Sequence, residues 1–120
     1  MKSMKLAAFS ILALASAAQA NVNLELNIVC NDQKYSCPTK RIEINEQMTM
    51  LDESTLKVDA TLVSSSADEA LFNFTVIKRD ATSEIVISQP IVVAKFGEVA
   101  KVNLKSDADS LELAIVTNRP

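Results

Sequence analysis

The sequence contains no histidine and no tryptophan, and it has only one glycine and one tyrosine. The absence of histidine excludes Ser-His and Cys-His nucleophile pairs, histidine general bases and histidine metal sites. Hydrolysis by two carboxylates needs no histidine, but the acidic residues fall at outward strand positions or in turns, which is typical of solvating charge. We therefore expect a protein that is not an enzyme and uses no cofactor.

Positive charge is also scarce. Lys2 and Lys5 account for two of the twelve Lys and Arg residues, which leaves ten cations against fifteen Asp and Glu after residue 20, a net charge of −5. Nucleic acids and anionic lipids attract clustered Lys and Arg, so this composition argues against both and leaves a protein as the expected partner. Residues 21–120 also lack an apolar run long enough to predict a membrane-spanning helix.

The first twenty residues have the pattern of a secretory signal peptide. The basic Lys2 and Lys5 precede an apolar run over 6–18, and the small residues that a signal peptidase requires occur in Ala-Gln-Ala at 18–20. The run is shorter than the roughly 20 residues of a membrane anchor, which is the alternative, and Asn21 offers no lipid attachment site. We predict a signal peptide over 1–20, cleavage after residue 20, and a periplasmic or secreted bacterial protein.

The two cysteines are Cys30 and Cys37. Nearby cysteines usually pair in an oxidising compartment, so the sequence predicts a structural disulfide that closes the polar turn between them. A redox-active pair is the alternative. It would favour Cys-x-x-Cys spacing at the start of a helix, which six intervening residues do not match.

Alternation of apolar and polar residues with a period of two dominates residues 21–120, as over 22–30, 56–62 and 111–116. This period is typical of half-buried strands. About eight such segments follow one another at ten-residue spacing, so we predict a single all-β domain over 21–120, an antiparallel β-sandwich of immunoglobulin-like architecture. A single helical turn is the expectation at 68–71.

Residues 91–96 are apolar at both alternating positions, which predicts a central strand. Gly97 follows this segment and is expected to take a positive φ in a turn. With Pro90 and Ala100, it gives the stretch ISQPIVVAKFGEVAKVNL, followed by LELAI, which resembles a hairpin of bacterial secretins and related envelope β domains. The resemblance covers less than a quarter of the chain. It implies an envelope β domain and carries over no functional residue.

Two short motifs offer metal chemistry. Met48 and Met50 lie two residues apart, so both thioethers would project from one face of a strand towards a soft ion such as Cu(I), or would simply fill the core. The alternating oxygens of 106–110 resemble part of a calcium loop, but they lack the carboxylates and the glycine of such a site. We expect a solvated turn there.

The unpaired edges of the predicted sheets are the remaining opportunity for recognition. An edge strand must be protected against pairing with other chains, or it is used to bind a partner's strand. Lys101 and Lys57 are candidates for protective charges.

The sequence therefore predicts a non-enzymatic binding or structural module of the bacterial envelope, acting through a strand edge or a loop surface. One alternative is a periplasmic Cu(I) carrier that uses Met48 and Met50. Another is an inhibitor of a secreted enzyme that presents the Cys30–Cys37 loop, with Lys34 and Tyr35 projecting outward.

Overall fold

The structure, a computed structural model, describes residues 21–120. These residues form nine β-strands and no helix, so the helical turn predicted at 68–71 is wrong: β5 begins within it. The strands are β1 (Asn21–Cys30), β2 (Gln33–Glu43), β3 (Gln47–Asp52), β4 (Leu56–Ser65), β5 (Glu69–Arg79), β6 (Glu84–Ser88), β7 (Ile91–Lys95), β8 (Val99–Lys105) and β9 (Ser110–Asn118). Over the same residues, nothing has the form of a membrane-crossing helix.

The strands form two packed antiparallel sheets, as predicted. The first sheet has the order β2-β1-β9-β8, and the second has the order β3-β4-β5, with β6 and β7 both beside β5. β6 pairs with residues 76–79 of β5, and β7 pairs with residues 69–73. β6 and β7 therefore form one interrupted edge strand.

The chain runs through the sandwich as a meander, because strands that are consecutive in sequence are also neighbours in space. β1 to β2, β3 to β7 and β8 to β9 are connected within a sheet, and β9 returns to pair with β1. The connections β2–β3 and β7–β8 cross between the sheets. The stretch around Gly97 is consequently a crossover rather than a paired hairpin, and Gly97 has the predicted positive φ, +79°.

The core lies between the two sheets and consists of the inward residues of each strand. Phe72 and Phe74 are fully buried there, with their ring centroids 5.8 Å apart. Phe96 is only partly buried, and its ring lies under the guanidinium of Arg119 at 5.1 Å. The aliphatic part of the core comes from alternating Val, Ile and Leu residues, which explains why period-two patterning identifies most strands.

The predicted Cys30–Cys37 disulfide is not formed, and both cysteines are free and buried. The chain reverses in a tight turn at 31–32, where both residues have positive φ, 49° and 71°, as in a type I′ hairpin turn. Cys30 then pairs with Gln33, whereas Cys37 pairs with Leu26. Four residues of ladder correspond to roughly 13 Å, beyond the ~7 Å between Cα atoms that a disulfide spans.

The segment predicted as a central strand is instead an edge strand. In β7, Val92 and Ala94 are buried, while Ile91 and Val93 are 69% and 54% exposed. An apolar run on both faces fits either location. Composition alone does not show whether a further strand pairs along the free side of the run.

Candidate protein-interaction site

The sandwich has four strand edges among the described residues: β2 and β8 in the first sheet, and β3 and the β6–β7 strand in the second. An edge strand presents unpaired backbone N–H and C=O groups, and proteins protect such edges with charge, proline, bulges or short length. The four edges differ most in charge, and one of them combines a stretch without charged residues with exposed apolar side chains.

The β2 and β3 edges are both protected. β2 carries Lys34, Lys40 and Arg41 and is interrupted by Pro38, next to a register shift against β1. β3 has no exposed large apolar side chain along its six residues. Lys40 also reaches across from β2, and its Nζ donates to the carbonyl of Thr49 at 3.0 Å. Pairing along either edge would have to displace these groups.

The β8 edge is protected by lysine. The Ser106 amide donates to the Asp109 carbonyl at 2.8 Å and closes the β8–β9 ladder. The alternation of an antiparallel ladder then directs the backbone groups of Lys101 and Lys105 away from β9, towards the free edge. Lys101 thus occupies the predicted protective position. Lys57 does not, because β4 lies between β3 and β5, and Lys57 Nζ instead lies 3.9 Å from Asp59 Oδ2.

The β6–β7 edge, residues 84–95, has no charged residue between Glu84 and Lys95. Its apolar side chains are among the most exposed in residues 21–120. These are Ile85 at 59%, Val86 at 51%, Ile91 at 69% and Val93 at 54%. Large apolar side chains concentrated on one strand edge are typical of a surface that meets another protein.

The backbone of β7 also directs hydrogen-bonding groups outward. The Phe74 amide donates to the Pro90 carbonyl at 2.9 Å, which makes these two residues a hydrogen-bonded pair of the β5–β7 ladder. Because such pairs alternate, Val92 and Ala94 bond to β5, whereas Ile91 and Val93 turn their N–H and C=O groups to the free edge. Pro90 lacks a donor on the β5 side only, so it does not block the outer edge.

The same alternation holds for β6. The Asp80 amide donates to the Ser83 carbonyl at 3.0 Å, which sets the ladder so that Glu84 and Val86 direct their backbone groups outward. A register shift follows at Ile87, between the pairs Ile77–Val86 and Val76–Ser88. This bulge brings the outward groups of β6 into phase with those of β7, so that one continuous edge results.

Arg79 fixes the start of this edge. Its Nε donates to Glu84 at 2.6 Å, and its Nη1 donates to Asp52 and to the Glu53 carbonyl, at 3.2 Å for the latter. The hydrogen bond to Asp52 makes the largest contribution to raising the pKa of Arg79, and the hydrogen bond to Glu84 makes the next largest. Arg79 thereby links β6 to the end of β3 and holds Glu84 at the edge.

Asp59 is a buried carboxylate on the solvent-facing side of β4 and was not anticipated. It is only 6% exposed. Its Oδ1 accepts from Thr49 Oγ1 at 2.8 Å, and its Oδ2 accepts from Gln47 Nε2 at 3.2 Å. The alternation places Asp59 outward correctly, but side chains from β3 cover it, so it is a structural anchor between the two strands.

The 106–110 segment is a polar turn, as predicted. Asp109 connects this turn to the β1–β2 turn and to the end of β5. Asp109 Oδ1 accepts from Asn31 Nδ2 and from Lys78 Nζ, both at 3.0 Å. These two hydrogen bonds, Asn31 first, lower the pKa of Asp109. No group of three or more His, Cys, Asp or Glu side chains within residues 21–120 is arranged to hold a metal ion.

The other candidate residues lie in or against the core. Met50 is 4% exposed, and Met48 packs on the core from the same strand. Tyr35 also packs against the core, and its hydroxyl donates to Gln33 Oε1 at 2.8 Å. The inhibitor alternative expects Lys34 and Tyr35 to project outward; Lys34 is exposed, whereas Tyr35 is partly buried. This alternative stays a prediction. The Cu(I) hypothesis stays a prediction.

Both thiols are poor candidates for chemistry. Burial raises the pKa of Cys30, and the nearby Asp109 raises it further. Burial is also the main reason that the pKa of Cys37 is raised. A raised pKa disfavours the thiolate, which is the nucleophilic form.

Sequence reasoning missed the residues that form the unprotected edge, notably Val86 and Val93. A usable signal was present, because residues 85–94 carry no charge, whereas the edge strands β2 and β8 each carry at least two Lys or Arg residues. The interpretation of 91–96 as a central strand concealed it. Comparison of this chain with protein families, with curated proteins and with solved structures finds no match.

Proposed function

We propose that this protein is a non-enzymatic binding or structural module, exported to the bacterial envelope, that binds protein by adding a strand to the β6–β7 edge. The observation that carries the proposal is the contrast between this edge and the other three. It alone combines outward backbone groups with a charge-free apolar run of exposed side chains.

Strand addition suits this edge for two reasons. The outward N–H and C=O groups of Ile91 and Val93 provide main-chain hydrogen bonds, and the exposed side chains provide apolar contacts that favour some partner sequences over others. The basic and apolar segment before residue 20 supports export. The lack of histidine and the raised thiol pKa values support a binding role rather than catalysis.

Site-specific photo-crosslinking in a producing bacterium tests the proposal. A photoreactive amino acid replaces Val93 in the full-length chain, and a matched variant carries it at Val99, which is 60% exposed on the protected β8 edge. We expect a discrete protein adduct in the envelope fraction from position 93 and none from position 99. Absence of any adduct from position 93, or equal adducts from both, would contradict the proposal.

A further inference from the structure

We infer that the strand which adds to the β6–β7 edge belongs to a second copy of this chain, in an antiparallel pair related by a two-fold axis level with Pro90. This inference rests on the proposed use of the edge and names its occupant. It is carried by the order of the residues that face outward along the edge.

The positions along the edge follow from the pairing with β5. Pro90 lies opposite Phe74, as their hydrogen bond shows. Glu84 lies opposite Arg79, and Lys95 lies opposite Glu69. Arg79 and Glu69 are each five residues from Phe74, so Glu84 and Lys95 are equally far from Pro90 along the edge.

The apolar residues are placed with the same symmetry. Val86 lies opposite Ile77, and Val93 lies opposite Leu71. These two β5 residues are each three positions from Phe74. Without the bulge at Ile87, the outward residues of β6 and β7 would be out of phase and the symmetry would be lost.

A two-fold axis at the level of Pro90 therefore makes the edge complementary to itself. Glu84 falls opposite Lys95 of the second copy, and Val86 falls opposite its Val93. Val86 and Val93 both direct free backbone groups to the edge, so this opposing pair exchanges two hydrogen bonds. The Lys95 carbonyl already accepts from the Glu98 amide at 3.2 Å, so the Glu84–Lys95 pair forms through the Lys95 N–H and the two charged side chains. Directly opposed residues of opposite charge, and directly opposed Val side chains, are favourable cross-strand pairs.

Complementarity of this kind favours a second copy over an unrelated strand. An isologous interface requires each feature of a patch to find its complement on the same patch. Here the single acidic and the single basic residue occupy equivalent ends of an otherwise uncharged strand. In the resulting dimer, β3-β4-β5 and the β6–β7 strand of both copies form one continuous sheet.

Sedimentation equilibrium of the protein produced from its full sequence tests the inference, over concentrations on the order of 1 µM to 1 mM. We expect a reversible monomer–dimer equilibrium. Val93→Lys places an unpaired charge at an apolar pair and should abolish the dimer. Val99→Lys, the same change on the β8 edge, should leave the dissociation constant unaltered.

Charge exchange tests the antiparallel register itself. Glu84→Lys and Lys95→Glu each bring like charges together at both ends of the strand pair, and each should raise the dissociation constant about tenfold. The double variant restores opposite charges and should return the dissociation constant to within about threefold of the unchanged protein. Merely structural damage at Glu84, which also bonds Arg79, would not be rescued in this way.

Several outcomes would overturn the inference. These are a protein that stays monomeric throughout the range, a dimer that survives Val93→Lys, and a double variant that dimerises no better than the single ones. A monomeric protein whose position 93 still crosslinks to a different envelope protein would contradict self-pairing while supporting strand addition. A monomeric protein without any adduct would contradict both.

Discussion

Single residues at turns determine how the strands of this sandwich align. The two residues at 31–32 take positive φ and reverse the chain in the shortest hairpin turn, so residues 33–36 join β2 instead of forming a loop. Cys30 and Cys37 are thereby separated along the ladder, although only six residues lie between them. Disulfide pairing depends on register, which sequence spacing alone does not give.

The separation of the two thiols predicts their reactivity. In denaturant, the protein isolated without reductant should bind two equivalents of a thiol reagent per chain, because no disulfide protects the cysteines. In the native protein, both should react much more slowly, since burial hides them and raises their pKa values. Intact-mass spectrometry after alkylation measures this. A denatured chain that takes up no reagent would show that a disulfide has formed.

Asp59 gives a second test at the level of one residue. Asp59→Ala removes a charged acceptor, so the half-buried Thr49 hydroxyl and the Gln47 amide both lose their hydrogen-bond partner. We expect the free energy of unfolding to fall by about 1–3 kcal/mol, as measured by urea denaturation. Asp107→Ala is the matched control. Asp107 is exposed, so its replacement should change stability by less than about 0.5 kcal/mol. Equal effects of both substitutions would argue against an anchoring role for Asp59.

At the scale of elements, hydrogen bonds between turns hold the ends of the sandwich together. The β1–β2 turn contacts the β8–β9 turn through the Asn31 amide, which donates to the Ser110 carbonyl at 2.9 Å, and through Asp109. Lys78 at the end of β5 also bonds Asp109, so this carboxylate connects the two sheets. The ionised carboxylate of Asp109 therefore holds together the β8–β9 turn, the β1–β2 turn and the end of β5.

The lowered pKa of Asp109 predicts a pH dependence of stability. A carboxyl group whose folded pKa lies below its unfolded value stabilises the fold above the unfolded pKa, near 3.8, and this contribution is lost as the pH falls through the folded pKa. We expect Asp109→Asn to be less stable than the unchanged protein at pH 6. The difference should shrink as the pH falls below about 4.

Urea denaturation of both proteins between pH 6 and the acid limit of folding measures this difference. Asp107→Asn provides the control, because Asp107 is an exposed neighbour in the same turn. A stability difference between Asp109→Asn and the unchanged protein that stays constant, or that widens with acid, would contradict the role assigned to the Asp109 carboxylate.

The sequence predicted elements more successfully than their arrangement. Alternation located β1, β4 and β9 closely, because their inward residues are buried and apolar. Thr117 in β9 is the exception, and its buried hydroxyl donates to the Asn23 carbonyl. It underestimated β2, where Pro38 and polar residues occupy a solvent-facing edge. It also could not distinguish β7 as an edge strand, since burial of the outer face depends on which strand lies alongside. Strand order is a long-range property that local patterning does not contain.

At the scale of the whole molecule, the meander leaves two pairs of sheet edges on opposite sides of the sandwich. On one side, β2 and β3 protect each other through Lys40. On the other side, β8 carries lysines, whereas the β6–β7 edge has only Glu84 and Lys95 at its ends. The asymmetry between these sides is the basis for proposing a binding module that acts through one edge.

Amide hydrogen exchange along β7 tests the availability of that edge most directly. In dilute protein, we expect the amides of Val92 and Ala94 to exchange slowly, because they bond to β5, and those of Ile91 and Val93 to exchange rapidly. At concentrations where the protein self-associates, the Ile91 and Val93 amides should become protected, while the Val99 and Lys101 amides on the β8 edge remain fast. Protection of Ile91 and Val93 at every dilution, or rapid exchange of all four β7 amides, would contradict an open edge that pairs with a second strand.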